Sequence, residues 1–164
     1  MEIHTRKPEE DDLSKIRLIF SDWYMNQEGT IQNDEVNYWT NKVEKSIKKE
    51  IKMDYLVAVN DKSEICGIIG WRGNIHKILT PYTKKKAVEL YDLFILKKYQ
   101  NTGIGKNLIK NFLEKVKNEY EEVVFVSAER WKEAWGFYDK LGFNRVGTTE
   151  LNGNSYTVFQ KSLT

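Results

Sequence analysis

Residues 88–96, "VELYDLFIL", form the most strand-like run in the chain, and "KKYQNTGIGK" leads from them into apolar residues at helical spacing. Those residues are Ile104, Leu108, Ile109, Phe112, Leu113 and Val116, which share one helix face. A strand that passes into a helix through Gly103 and Gly105 points to an α/β architecture. Glycine weakens both elements that it joins, so its use here needs a reason. The N–H groups that open such a helix lack intrahelical acceptors and sit at the positive end of its dipole, which makes a ready anion site. The other reading is a glycine-rich β–α turn that binds nothing.

The flanking sequence fills in the rest. "EIHTRKP" alternates weakly and stops at Pro8, as a short first strand would. Acids open "EEDDLSKIRLIFSDWYMNQ", where Leu13, Ile16, Phe20, Trp23 and Tyr24 recur as on a helix, and Gly29 closes it. A second helix is expected after Asn33 or Asp34, with Val36, Trp39, Val43, Ile47 and Ile51 on one face. "MDYLVAVN" and "EICGIIGWRG" read as a hairpin around "DKS", and "NIHKILTPYTKKKA" reads as a loop. Beyond the glycine turn come a buried-type strand, "EVVFVSA", and a short helix marked by Ala134, Phe137, Tyr138 and Leu141 and stopped by Gly142. "FNRVGTTEL" and "SYTVFQKSL" close the chain as a hairpin around "NGN". The expected order is β-α-α-β-β-β-α-β-α-β-β, in one domain over residues 1–164. About seven strands in a mixed, mostly antiparallel sheet are flanked by four helices.

Composition removes several function classes. A net charge of +2 with no basic stripe argues against nucleic-acid or ribosome binding. The one cysteine, Cys66, suits a reducing compartment, and two histidines with it do not make a metal site. No apolar run approaches the ~20 residues of a membrane span, and the start of the chain has no signal core, so a cytoplasmic location is expected. Five Trp and nine Tyr supply wide aromatic surfaces.

Nucleotide motifs separate on spacing. The dinucleotide fingerprint needs glycine where Leu108 stands, and the P-loop needs Ser or Thr where Asn107 stands. "QNTGIG", residues 100–105, instead matches the (Arg/Gln)-x-x-Gly-x-(Gly/Ala) signature of the Gcn5-related N-acetyltransferases. "AWGFYDKLGF", residues 134–143, resembles that family's Ala-x-x-Phe-Tyr-x-x-x-Gly-Phe segment. The order of elements is similar as well. The resemblance implies an acetyltransferase fold whose sheet splays between its fourth and fifth strands. It implies acetyl-coenzyme A as donor, with the pyrophosphate at Gln100, Asn101, Thr102, Gly103, Ile104, Gly105 and Lys106. The pantetheine arm would lie along Leu93, Phe94 and Ile95. It also implies a primary amine acceptor, on a small molecule or a peptide, and leaves room for a homodimer. Two positions depart from the pattern: Asn101 replaces a common glycine, and Trp131 replaces a common asparagine that contacts the arm.

Acetyl transfer to an amine needs a group to take the amine proton, a donor for the developing oxyanion and a donor for the departing thiolate. The resemblance puts Tyr138 beside the sulfur; otherwise Tyr138 is one more residue of an apolar helix stripe. Glu89 and Asp92 are the candidate bases. Strand alternation points Glu89 with Tyr91, Leu93 and Ile95, and Asp92 to the opposite face. A carboxylate in so apolar a strand must be paired or useful. A water chain with no single base remains open, as does a non-catalytic acyl-coenzyme A-binding module. Lys84–Lys86 read as a solvated hairpin tip or a phosphate contact. Trp23, Tyr24, Tyr38, Trp39 and Trp71 read as core or as walls of an acceptor pocket.

Overall fold

The computed structural model describes residues 2–164. Seven strands form one mixed sheet in the order β1-β2-β3-β4-β5-β7-β6. They are β1 (Ile3–Arg6), β2 (Asp54–Asn60), β3 (Ile65–Arg72), β4 (Ala87–Ile95), β5 (Glu122–Ala128), β6 (Asn144–Leu151) and β7 (Asn154–Ser162). The α-helices are α1 (Leu13–Glu28), α2 (Asn33–Ile47), α3 (Ile104–Val116) and α4 (Trp135–Lys140). This is the expected order of elements. β4 pairs with β5 in parallel, while β1 with β2, β2 with β3, β5 with β7 and β6 with β7 are antiparallel. The parallel register comprises three pairs, Ala87–Glu89 against Glu122–Val124.

The chain divides into two units. The first runs to Trp71 and resumes over Asp92–Phe112. Its core takes Ile16, Ile19 and Phe20 from α1 and Val36 and Val43 from α2, all fully buried. The ring of Phe20 meets that of Phe94 edge to face at 4.9 Å. Gly67 on β3 permits a close approach: a Cβ there would stand 2.7 Å from Ile95 Cδ1, 3.1 Å from the Phe94 carbonyl and 3.3 Å from Leu108 Cδ1. The start of α3 therefore seats against β3 and the end of β4 without an intervening side chain.

The second unit is Arg72–Tyr91 with Leu113–Thr164. Here the expected loop over 74–87 holds a 3₁₀ segment, Lys77–Tyr82. His76 caps it, its Nδ1 accepting the Ile78 N–H at 3.1 Å. The segment tucks Leu79, fully buried, against Val124 and Val158. Other boundaries differ from expectation as well: α2 starts at Asn33 with Gln32 before it, ahead of the expected cap at Asn33 or Asp34. α2 stops at Ile47, so Ile51 lies outside it. Lys49 turns left-handed (φ 60°) and the Glu50 N–H reaches back to the Lys45 carbonyl at 2.8 Å. That closure usually carries glycine, and with lysine in its place no residue marks it. α4 begins at Trp135, with Ala134 before it as cap, because Glu129–Ala134 is a 3₁₀ segment kinked at Trp131 (φ −109°, ψ 24°).

Candidate active site

In the first unit, the β4–α3 connection is anchored at its start. Leu96 N–H donates to the Cys66 carbonyl at 2.9 Å, and Lys97–Tyr99 make one 3₁₀ turn. The Tyr99 hydroxyl bonds the Glu64 carboxylate and accepts from Asn60 Nδ2 at 3.1 Å, while Lys98 pairs with Glu64 at 2.8 Å. Beyond this anchor the backbone turns left-handed twice, at Asn101 (φ 63°) and Gly103 (φ 90°). Asparagine tolerates that region better than other residues with a Cβ, which explains how Asn101 stands in for glycine. Gln100 Nε2 donates to the Ile95 carbonyl at 3.4 Å, and the Thr102 hydroxyl bonds the Tyr99 carbonyl. Both side chains clip the turn by bonding carbonyls that precede it. Asn107 is the first N–H in α3 with an acceptor behind it, the Gly103 carbonyl at 3.0 Å. The preceding N–H groups of Ile104, Gly105 and Lys106 thus open the helix without intrahelical acceptors. Asn101, Thr102, Gly103 and Lys106 are exposed, and Ile104 is buried as the anchor of α3.

On β4, Leu93 and Ile95 are half-buried on one face, and Phe94 points to the other. Asp92, 2% exposed, shares the Phe94 face. In the second unit, Glu89 is also buried and its oxygens are engaged. Oε1 accepts from Arg72 Nε at 2.9 Å and from the His76 N–H at 2.8 Å, and Oε2 from Arg72 Nη2 at 3.4 Å. The Arg72 guanidinium lies 4.2 Å over the Tyr91 ring. Glu89 thus ties the end of β3 to the cap of the 3₁₀ segment.

Tyr138, half-buried on α4, beds its ring against Phe125 (4.7 Å), Phe159 (5.4 Å) and Phe143 (6.3 Å). Burial among these rings pushes its phenol up to about 12, so the hydroxyl is a donor at any ordinary pH. Trp131 carries the Arg130 guanidinium 4.7 Å over its ring. Lys84–Lys86 are exposed at their side chains, and the Lys84 N–H faces the buried Glu122 carboxylate at 3.4 Å. The aromatic residues separate: Trp71 packs on Phe112 at 5.1 Å, whereas Trp23 and Trp39 gather around Phe94. Among the described residues no group of three or more His, Cys, Asp or Glu is placed to hold a metal. No helix among them is long and apolar enough to cross a membrane.

Residues 27–163 match a family model described as "Acetyltransferase (GNAT) domain". The chain belongs to the GNAT acetyltransferase family. Solved structures share the GNAT fold at low identity. A GNAT-family protein from Desulfovibrio desulfuricans superposes with a TM-score of 0.80 at 14% identity, over 99% of this chain and 100% of that one. PaiA N-acetyltransferase from Thermoplasma acidophilum, solved in complex with coenzyme A, gives 0.73 at 20% identity, over 99% of each chain. A Xenopus tropicalis protein named "Probable N-acetyltransferase 14" is 27% identical over 106 residues, which cover 64% of this chain and 47% of that protein. The GNAT chain thus spans about half the length of that relative.

Within the GNAT frame, the partners of Glu89 are not legible in the sequence. Arg72 and the His76 N–H reach it from 17 and 13 residues away across the 3₁₀ segment. One signal was present: a glutamate in an apolar strand calls for a cation, and Arg72 ends the neighbouring strand.

Proposed function

We propose that this GNAT chain transfers the acetyl group of acetyl-coenzyme A to a primary amine. The observation that carries the reading is the left-handed pair Asn101 and Gly103 directly ahead of α3. That geometry leaves a run of main-chain N–H groups at a helix start, which is the donor set a pyrophosphate requires. In this reading Gln100–Lys106 form the cradle, with Gln100 and Thr102 holding its shape and Lys106 adding charge. The backbone of Leu93, Phe94 and Ile95 orients the pantetheine arm and offers an N–H to the acetyl oxygen. When bound, acetyl-coenzyme A supplies an acyl group already activated as a thioester.

The Tyr138 hydroxyl donates a hydrogen bond to the sulfur as charge collects there. With its phenol pushed up to about 12, it stabilises that charge while keeping its own proton. Between the carboxylates, the reading gives the amine proton to Asp92, directly or through water. Glu89 already accepts from Arg72 and His76 and serves as the anchor of the 3₁₀ segment.

Thiol release with a broad amine panel tests the activity. Coenzyme A binding with no turnover of any amine would favour a non-catalytic acyl-coenzyme A-binding module. The same assay separates the carboxylates. Asp92→Asn should lower kcat most near neutral pH, by ~10²-fold, with partial recovery at high pH where free amine is plentiful. Glu89→Gln should act mainly on stability, because it weakens a buried ion pair. The opposite pattern would exchange the two roles, and no pH-dependent loss in either variant would point to a water relay.

A further inference from the structure

Two loops of the first unit that are distant in sequence meet at one residue, Tyr99. The first is the β2–β3 hairpin, which Asn60, 2% exposed, shapes from inside. Asn60 Oδ1 accepts the Lys62 N–H at 3.0 Å and the Glu64 N–H at 2.9 Å, and the Asn60 N–H donates to the Glu64 carbonyl at 3.0 Å. Ser63 turns left-handed (φ 60°), and its N–H returns to the Asn60 carbonyl at 3.0 Å. Glu64 is therefore fixed in the hairpin by both of its main-chain groups.

The second loop is the β4–α3 connection. The Tyr99 hydroxyl donates to Glu64 Oε1 and accepts from Asn60 Nδ2 at 3.1 Å, across 35 and 39 residues of chain. Lys98 Nζ takes the other carboxylate oxygen, Oε2, at 2.8 Å. Lys98 first, and then Tyr99, hold the Glu64 carboxyl below the usual carboxylate range, while the bond to Glu64 raises the Tyr99 phenol. At neutral pH the glutamate is thus a charged acceptor and the phenol its donor. The main chain of Tyr99 faces a different task. Its carbonyl accepts from the hydroxyl of Thr102, the residue between the left-handed Asn101 and Gly103. One residue has its ring tied to the hairpin and its carbonyl tied to the turn that leads into α3.

Main-chain donors hold an anion well only when their directions are set in advance, because ordering them on binding costs affinity. We propose that Glu64 is a positioning residue for coenzyme A. Through the Tyr99 hydroxyl it sets the turn at residues 101–103, and with it the N–H groups at the start of α3 that would take the pyrophosphate. The inference rests on the cradle reading above.

Calorimetry with coenzyme A and with pantetheine tests it on the wild type, Tyr99→Phe, Glu64→Ala and the double variant. Tyr99→Phe keeps the ring and every charge and removes only the hydroxyl. It should weaken coenzyme A binding about tenfold and leave pantetheine affinity unchanged, a split that a general loss of stability would not produce. Glu64→Ala should show the same split. The double variant should bind coenzyme A no more weakly than Glu64→Ala, because one interaction is lost in each protein. Unchanged coenzyme A affinity in Tyr99→Phe, an equal loss for both ligands, or losses that add in the double variant would overturn the proposal. Tighter coenzyme A binding in Glu64→Ala would overturn it too, and would mean that Glu64 acts by masking the Lys98 charge. In all of these cases a wild type that still prefers coenzyme A to pantetheine leaves the cradle standing. A wild type that binds both ligands equally would remove the cradle and the proposal together.

Discussion

β4 and β5 pair in parallel and each leads into a helix, but the two connections are built in opposite ways. After β4 the backbone goes left-handed at Asn101 and Gly103, its own side chains clip it, and α3 opens with N–H groups that lack intrahelical acceptors. After β5 the chain makes a 3₁₀ segment kinked at Trp131, then a six-residue helix whose inner side is aromatic. The first connection offers backbone and the second offers a side chain, the Tyr138 hydroxyl on a bed of phenylalanines. A backbone donor set needs the chiral penalty of Cβ removed, so it leaves glycine in the sequence. A side-chain donor needs only rigid neighbours, and those look like any core.

The two connections should fail differently when changed. At Gly103 a Cβ would meet nothing within 4 Å, yet φ is 90°, so the obstacle to a side chain there is conformational rather than steric. Gly103→Val should keep a near wild-type far-UV spectrum and lose about 10³-fold or more in coenzyme A affinity by calorimetry, ~4 kcal/mol. A folded Gly103→Val protein with unchanged affinity would erase the contrast.

Tyr138→Phe should do the reverse. The ring bed is kept, so Tm should move little, and acetyl-coenzyme A should bind as before. Single-turnover rates should fall by ~10²-fold, since the lost hydrogen bond acts on charge that develops late. Wild-type rates in Tyr138→Phe would make it a core residue and nothing more.

The smallest effect is on stability in alkali. Tyr138 and Tyr24 are both pushed from 10.0 up to about 12, mainly by burial. Below pH 10 the two residues are protonated in folded and unfolded chains alike, and their contribution is complete. From pH 10 towards 12 the unfolded chain loses those protons while the folded chain holds them, so stability falls. Urea midpoints should drop over that window, and less steeply in Tyr138→Phe. A midpoint that is flat to pH 12 would mean that the ring is not shielded.

Much of this was legible in the sequence where structure is local. The order of elements, the Asn-Gly hairpin at residues 152–153 and the glycine turn ahead of α3 each follow from a few adjacent residues. The end of α2 did not, because Lys49 takes the left-handed position without glycine. The 3₁₀ segment at Lys77–Tyr82 did not, because its reason is Leu79 filling a gap over Val124 and Val158, far along the chain. Glu89 shows the same limit. Its face on β4 followed from alternation, but its engagement by Arg72 and the His76 N–H depends on how the 3₁₀ segment folds.

The central claim is that main-chain N–H groups at the β4–α3 connection hold the pyrophosphate of coenzyme A. Calorimetric titration of the wild type and Gly103→Val with coenzyme A and with pantetheine, which lacks the pyrophosphate, tests it most directly. The account predicts that the wild type binds coenzyme A at least ~100-fold more tightly than pantetheine, and that this gap collapses in Gly103→Val. Equal affinities for the two ligands in the wild type, or a gap that survives in a folded Gly103→Val protein, would contradict it.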